Sequence, residues 1–272
     1  MLTIKNNLMA ANAARNLGNS YNSLSKSVER LSSGLRINSA KDDAAGLAVR
    51  ELMRADIAVI NQGARNAADG VSMLQTMEGA MAQVDDFLIR LQSLAEQAST
   101  GSYSSTQRGI MQNEFSEIRS EIDRIAQNTK FNGTAMLDNT TSVSIHFGEL
   151  TSDTIDIAGS VLTSASNGLD ITGLSINTAA SAKAALATVE TAIETKDTAR
   201  ARFGYKMNRL EGTGNVLKIQ AENLLSAESR VSDVDVAVEM ASMTRNQVLA
   251  QAGVSMLAQA NTMPQMALSL LR

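Results

Sequence analysis

Over most of this 272-residue chain, apolar positions recur at alternating gaps of four and three. Leu17, Tyr21, Leu24, Val28 and Leu31 open the series, and such spacing is the seam of a coiled-coil-like helix. The stretch SSGLRINSAKDD, with Gly34 and several Ser, Asn and Asp, predicts a break. Acids at Asp42 and Asp43 then favour the positive end of a new helix beginning at Ala44. That helix is predicted to run to about Ser99, with Ile60, Ala64, Ala67, Val71 and Leu74 on its seam. Met81, Val84, Leu88, Leu91, Ala95 and Ala98 continue it. Glu78 falls where the register wants an apolar residue, with Met77 beside it, so a local adjustment is expected there. A helix over 44–99 would be a rod of ~80 Å, against ~40 Å for a compact chain of this length. An elongated molecule is the expectation.

After a turn at Thr100-Gly101-Ser102, Met111, Phe115, Ile118, Ile122 and Ile125 predict a third helix over about 104–128, ending before Asn132-Gly133. Within 139–180 the period falls to two. Val143, Ile145 and Phe147 alternate with polar neighbours, and Ile155 and Ile157 flank Asp156, which predicts a β-hairpin near 141–158 turning around Glu149–Asp153. Residues 160–180 read as loop with weak structure. Helix returns over about 182–230, where Phe203, Met207, Leu210, Gly214, Leu217, Ala221 and Leu224 resume the seam; Gly212 and Gly214 weaken it by roughly 1 kcal/mol each. From about Ser232 the chain is apolar nearly all round the helix, through Val248, Leu249, Val254, Met256 and Leu257. Such a helix is buried on every side or spans a membrane. With Gln251, Gln259 and Asn261 interspersed, burial by neighbouring copies is the simpler outcome. The predicted fold is mainly α: a long coiled-coil-like helical bundle with a small β-hairpin, and helical termini carrying apolar surface that one chain cannot cover.

Composition sharpens this picture. Hydrophobic residues are 44% of the chain, yet aromatics are 3%, Trp is absent and Met numbers 14. Close side-by-side helices suit such small and flexible side chains better than an aromatic core would. Pro264 is the only proline, so little forbids helix. A net charge of −4 with both signs interspersed argues against nucleic acid, which needs clustered cations. No apolar stretch reaches the roughly 20 residues that span a bilayer. The opening MLTIKNNLMAANAARN lacks the order of a cleaved secretory signal, which by itself suggests a cytosolic protein.

Candidate chemistry is sparse. His146, the sole histidine, lies on the polar face of a predicted strand, and without a second His or any Cys no zinc site is recognisable. Asp42-Asp43, Asp85-Asp86 and Asp233/Asp235 read as helix starts and solvated faces. Gly212-Thr213-Gly214 has no preceding strand to make a phosphate loop. Asn132-Gly133-Thr134 and Asn139-Thr140-Thr141 fit a glycosylation triplet that often occurs by chance. Neither an enzyme nor a cofactor protein is expected.

Three segments resemble bacterial flagellins: RLSSGLRINSAKDDAAGLAV (30–49), EIDRIAQNTKFNGTAML (121–137) and MTRNQVLAQAGVSMLAQANTMPQMALSLLR (243–272). The resemblance covers nearly all the chain outside 160–182, where many flagellins carry outer domains. It implies a minimal subunit with only the two inner domains. These would be a filament-core domain from 1–43 and 232–272 with both termini paired in an inner tube, and an outer bundle from 44–231. It further implies a self-polymerising, extracellular filament protein for swimming, which overrules the cytosolic reading. Export would be unfolded, through the flagellar type III apparatus. Self-assembly would use Leu17, Tyr21, Leu24, Val28, Leu31, Val254, Leu257, Leu268 and Leu271. An export chaperone would cover 232–272, and filament cap and junction proteins would be further partners. Ser and Thr in 139–182 are candidate O-glycan sites. Arg90, Leu94, Gln97 and Glu114 match positions through which recognised flagellins bind a host Toll-like receptor, with Leu94 as the apolar contact; alternatively Leu94 is a bundle residue and Arg90 an ion-pair partner. The rival readings are a hook–filament junction protein, a membrane-active amphipathic protein and a hydrolytic flagellin. The second lacks a Lys/Arg-rich polar face. The third lacks room for a protease insert in 160–182.

Overall fold

A computed structural model describes the backbone of residues 6–269 and the side chains of residues 6–263. Five helices and two strand pairs follow in the order α1 (Leu8–Ser33), α2 (Ala44–Ser99), α3 (Ser105–Asn128), β1 (Lys130–Phe131), β2 (Thr134–Ala135), β3 (Ser142–His146), β4 (Thr154–Ala158), α4 (Ala179–Ser232) and α5 (Val236–Ser269). The mainly helical reading with a small hairpin holds. Local signals account for the boundaries. Gly34, at φ 74°, ends α1 in the left-handed conformation and donates its N–H to the Arg30 carbonyl, a role that suits glycine. Ser104 and Gln107 form a reciprocal capping box at the start of α3, satisfying two otherwise orphaned N–H groups.

The chain divides into two compact units. A terminal unit comprises Met1–Ala55 and Asn223–Arg272, and a central unit comprises Asp56–Glu222. α2 and α4 contribute to both.

The central unit owns the hydrophobic core. Met77, Met81, Val84, Leu88 and Leu91 of α2 are fully buried in one cluster with Phe115 and Ile122 of α3 and with Val189, Ala192 and Phe203 of α4. The seam of α2 takes Met77 rather than Glu78, so the helix continues without adjustment. Glu78 instead accepts hydrogen bonds from Arg200 of α4, the closer at 3.1 Å. The seam also passes through Gly63 and Gly70, both buried. A side chain at Gly63 would collide with the backbone carbonyl of Phe147, and one at Gly70 would stand 3.0 Å from Leu210 and 3.2 Å from Ile145. These two glycines let the β3–β4 hairpin lie directly on α2. In that hairpin Val143 pairs with Ile157 and Ile145 with Ile155, and Ile155 and Ile157 face the core.

Residues 160–178 depart from the expected weak structure. Leu162, Leu169, Ile171 and Ile176 are buried, and the loop is tied to α3 at three points. Asp123 accepts from the Ser164 N–H at 2.6 Å and hydroxyl at 2.7 Å, Gln112 accepts from the Ile176 N–H at 2.6 Å, and Arg119 donates to the Thr172 carbonyl. A segment without period escapes periodicity analysis even when its apolar residues are anchored one by one.

Candidate assembly surface

In the terminal unit α1 and α5 pack against each other, and small residues mediate the contact. A Cβ added to Gly253 would stand 3.1 Å from Leu17, and Ala250 is buried. On α1 the inward face runs through Leu17, Leu24 and Leu31, which are half-buried, and through Ser27, which is buried. Tyr21 and Val28 are 51% and 50% exposed, because α5 presents a narrow face of small residues that cannot cover both flanks of the seam. Leu257 is half-buried and Val254 points outward. The side chain of Leu268 and the whole of Leu271 lie outside the described residues.

Asn7 joins the two helices at one end. Its Oδ1 accepts from the Ala10 N–H and caps α1, while its Nδ2 donates to the Ala260 carbonyl at 2.8 Å. Ala260 lies four residues before Pro264, which has no N–H to give that carbonyl. One side chain thus meets two orphaned backbone groups. At the other end the Arg36 N–H donates to the Ser232 carbonyl at 2.7 Å and the Val234 N–H to the Gly34 carbonyl at 3.1 Å. Arg50, largely buried, donates to the Ile37 carbonyl at 2.8 Å and pairs with Glu51. Beside it the Ser39 hydroxyl, with the N–H groups of Ser39 and Asn38, donates to Asp42 and holds its carboxyl below the ordinary range.

Polar linkages and half-buried leucines therefore hold this unit together, while many of its large apolar side chains face out. Ile37 and Ala250 are its only buried apolar residues among those described, whereas Leu8, Met9, Leu52, Val236, Val238 and Met256 are each more than half exposed. A folded monomer rarely leaves so many large apolar side chains uncovered while burying so few.

The second candidate cluster lies in the central unit. Arg90 of α2 pairs with Glu114 of α3 at 2.6 Å, and each is about half exposed. Gln97 donates to the Tyr103 hydroxyl at 2.9 Å. Leu94 requires correction as a surface contact. It is only 2% exposed and joins Leu91, Ala95 and Ala98 in the core, because the seam of α2 faces α3 at that position. Besides Ile89, next to Arg90 and 53% exposed, an exposed apolar group here is Ile110, one turn before Glu114 on α3. Sequence reasoning missed it because it lies off the α3 seam.

His146 sits on the exposed face of β3, with Nε2 3.0 Å from the Leu150 carbonyl. Among the described residues no group of three His, Cys, Asp or Glu could hold a metal ion, and no helix is long and apolar enough to cross a membrane. Lys196 is a group that periodicity did not anticipate. It is buried on the core face of α4 and its Nζ lies 2.5 Å from Asp85 and 2.6 Å from Asp197.

Comparison with known proteins gives concordant results. Residues 4–142 match the bacterial flagellin N-terminal helical region and residues 186–271 the C-terminal helical region. Among curated relatives, the flagellar filament 33 kDa core protein of Treponema phagedenis is 41% identical over 286 residues, covering 100% of both chains. A flagellin of Halalkalibacterium halodurans is 39% identical over 272 residues, again with 100% of both chains covered. Among solved structures, Bacillus cereus flagellin superposes with a TM-score of 0.50 at 29% identity, covering 60% of this chain and 94% of that one. A chain described as a flagellar hook-associated protein of Vibrio parahaemolyticus gives 0.58 at 14% identity, covering 71% of this chain and 100% of that one, a likeness of fold alone.

Proposed function

This chain belongs to the bacterial flagellin family, with only that family's inner domains, and from this premise we propose that it polymerises into the extracellular flagellar filament that drives swimming. The family is structural rather than enzymatic. The observation that carries the reading is the imbalance of the terminal unit, which among its described residues buries two apolar side chains and exposes many large ones on α1 and α5. Copies of the same unit would cover it and form the filament core. Contacts between different patches on successive copies do not close on themselves, so they generate an open helical fibre. Tyr21, Val28 and Val254 would make contacts between subunits, while Leu17, Leu24, Leu31 and Leu257 hold α1 to α5 within one.

The same apolar surface supports export unfolded through the flagellar type III apparatus, with a chaperone on residues 232–272 until assembly. Cap and junction proteins would meet the filament at its ends. Recognition by a host Toll-like receptor would engage Arg90, Gln97 and Glu114, with Ile110 rather than Leu94 as the apolar contact. The Arg90–Glu114 pair would present a planar charged anchor, and Glu114→Ala monomer should lose most receptor activation in a reporter cell line. Full activation by that variant would remove the receptor from the list of partners.

The decisive test is negative-stain microscopy of purified protein after seeding with short filament fragments. Long tubes of uniform diameter are expected. Protein that stays monomeric, or forms only short stubs, would overturn the filament reading in favour of a junction protein.

A further inference from the structure

The described methionines range from fully buried to largely exposed, with Met53, Met207, Met243 and Met263 in between. Met73, Met77, Met81 and Met136 are buried in the central core, from 0% to 4% exposed. Met9 of α1 and Met240 and Met256 of α5 are 62%, 44% and 64% exposed, and all three stand on the terminal unit among Leu8, Val236, Leu249 and Val254. Sulfur at such positions is open to peroxide, whereas core sulfur is shielded by packing. We infer that Met9, Met240 and Met256 are oxidation sites through which peroxide controls the assembly of this protein, an inference that rests on the filament reading.

The chemistry is a two-electron oxygen transfer. A lone pair of the thioether sulfur attacks a peroxide oxygen, the O–O bond breaks, an S–O bond forms and water leaves with the second oxygen. Sulfur is oxidised and peroxide reduced, with no further reactant. The product exchanges a flexible apolar side chain for one with a strong hydrogen-bond acceptor. In the free subunit solvent satisfies that acceptor, so the fold is undisturbed. On assembly the acceptor would meet helix surfaces. Their backbone N–H groups are already engaged within the helix, and the large apolar side chains around these methionines, Leu8, Val236, Leu249 and Val254 among them, cannot donate. Burying an unpaired acceptor is unfavourable, so oxidation acts on association and leaves the subunit folded. Assembled protein would shield the same sulfurs, confining the sensitivity to subunits not yet incorporated. Because the sulfoxide can be reduced, the block is reversible.

The experiment treats purified full-length protein with dilute hydrogen peroxide, maps sulfoxides by peptide mass spectrometry and measures seeded elongation. Met9, Met240 and Met256 should oxidise first, with Met73, Met77, Met81 and Met136 unmodified and helical circular dichroism unchanged. The critical concentration should rise about tenfold or more, and methionine sulfoxide reductases with a thiol reductant should restore it. The triple variant Met9→Leu, Met240→Leu, Met256→Leu should elongate seeds before and after peroxide. Undiminished elongation by protein oxidised at all three positions would overturn the inference, as would reductase treatment that removes the sulfoxides without restoring elongation. Untreated protein that fails to elongate seeds would overturn the filament reading itself, and this inference with it.

Discussion

Lys196 is the one fully buried ammonium among the described residues, and its environment decides its charge state. Burial pulls its pKa down, but hydrogen bonds to Asp197 and Asp85, and their charges, outweigh burial and hold it above the ordinary lysine value of 10.5. Their joint contribution to stability is present in full below that value and is lost as pH rises through the folded pKa. The stability difference between the parent and Lys196→Met should therefore be flat near neutrality and shift against the parent only above about pH 10.5. At pH 7 Lys196→Met should stay within about 1 kcal/mol of the parent in urea unfolding, since apolar replacement of a buried ion is often neutral. Asp85→Ala should cost about 1–3 kcal/mol, because it strips a partner from an ammonium that stays buried. The opposite order would mean that Coulomb attraction itself stabilises the site. Asn7 offers a second test. Asn7→Asp keeps the cap on α1 but cannot donate to Ala260, so it should loosen the α1–α5 pair. Pro264→Ala should cancel that loss by returning an N–H to the same carbonyl. Amide exchange on α5 measures both, and additive effects would exclude the coupling.

Between elements, the docking of the β3–β4 hairpin on α2 depends on the absence of a side chain at Gly63. In isolation Gly→Ala in a helix gains roughly 1 kcal/mol. At Gly63 the added methyl collides with the Phe147 carbonyl, a rigid backbone atom, so the hairpin has to lift. Gly63→Ala should destabilise the protein by about 1–3 kcal/mol. Gly79→Ala, where nothing stands within 4 Å, should stabilise it by roughly 0.5–1 kcal/mol. Urea midpoints of the two variants moving in the same direction would show that helix propensity, rather than close approach, governs both positions.

For the whole molecule, the two units differ in how they are held. The central unit is one continuous segment, 56–222, and it contains the entire buried cluster. Expressed alone it should be a soluble monomer that melts cooperatively by circular dichroism and does not elongate filament seeds. A gradual melt would place part of its stability in the terminal helices. The terminal unit relies on helix pairing and a few polar links. Its remaining apolar surface is consistent with a fold completed by other copies.

Much of this was legible in the residues alone. Helix periodicity, the acids at the start of α2, the turn glycine at Gly34 and the alternation of the hairpin act between neighbours a few positions apart, so the chain states them locally. The excess of apolar surface at both ends was also visible, because α5 has no polar face to turn outward. What only the tertiary structure decided is which flank of each pattern meets which partner. Glycine carries almost no hydropathy, so Gly63 and Gly70 were invisible as seam positions until the hairpin lay on them. Leu94 and Ile110 look alike in sequence, and the facing of α2 toward α3 buries the first and exposes the second. Lys196 reads as a solvated charge until Asp85, 111 positions earlier, comes within hydrogen-bond distance. Hydropathy is a property of one residue, whereas burial is a property of everything packed around it.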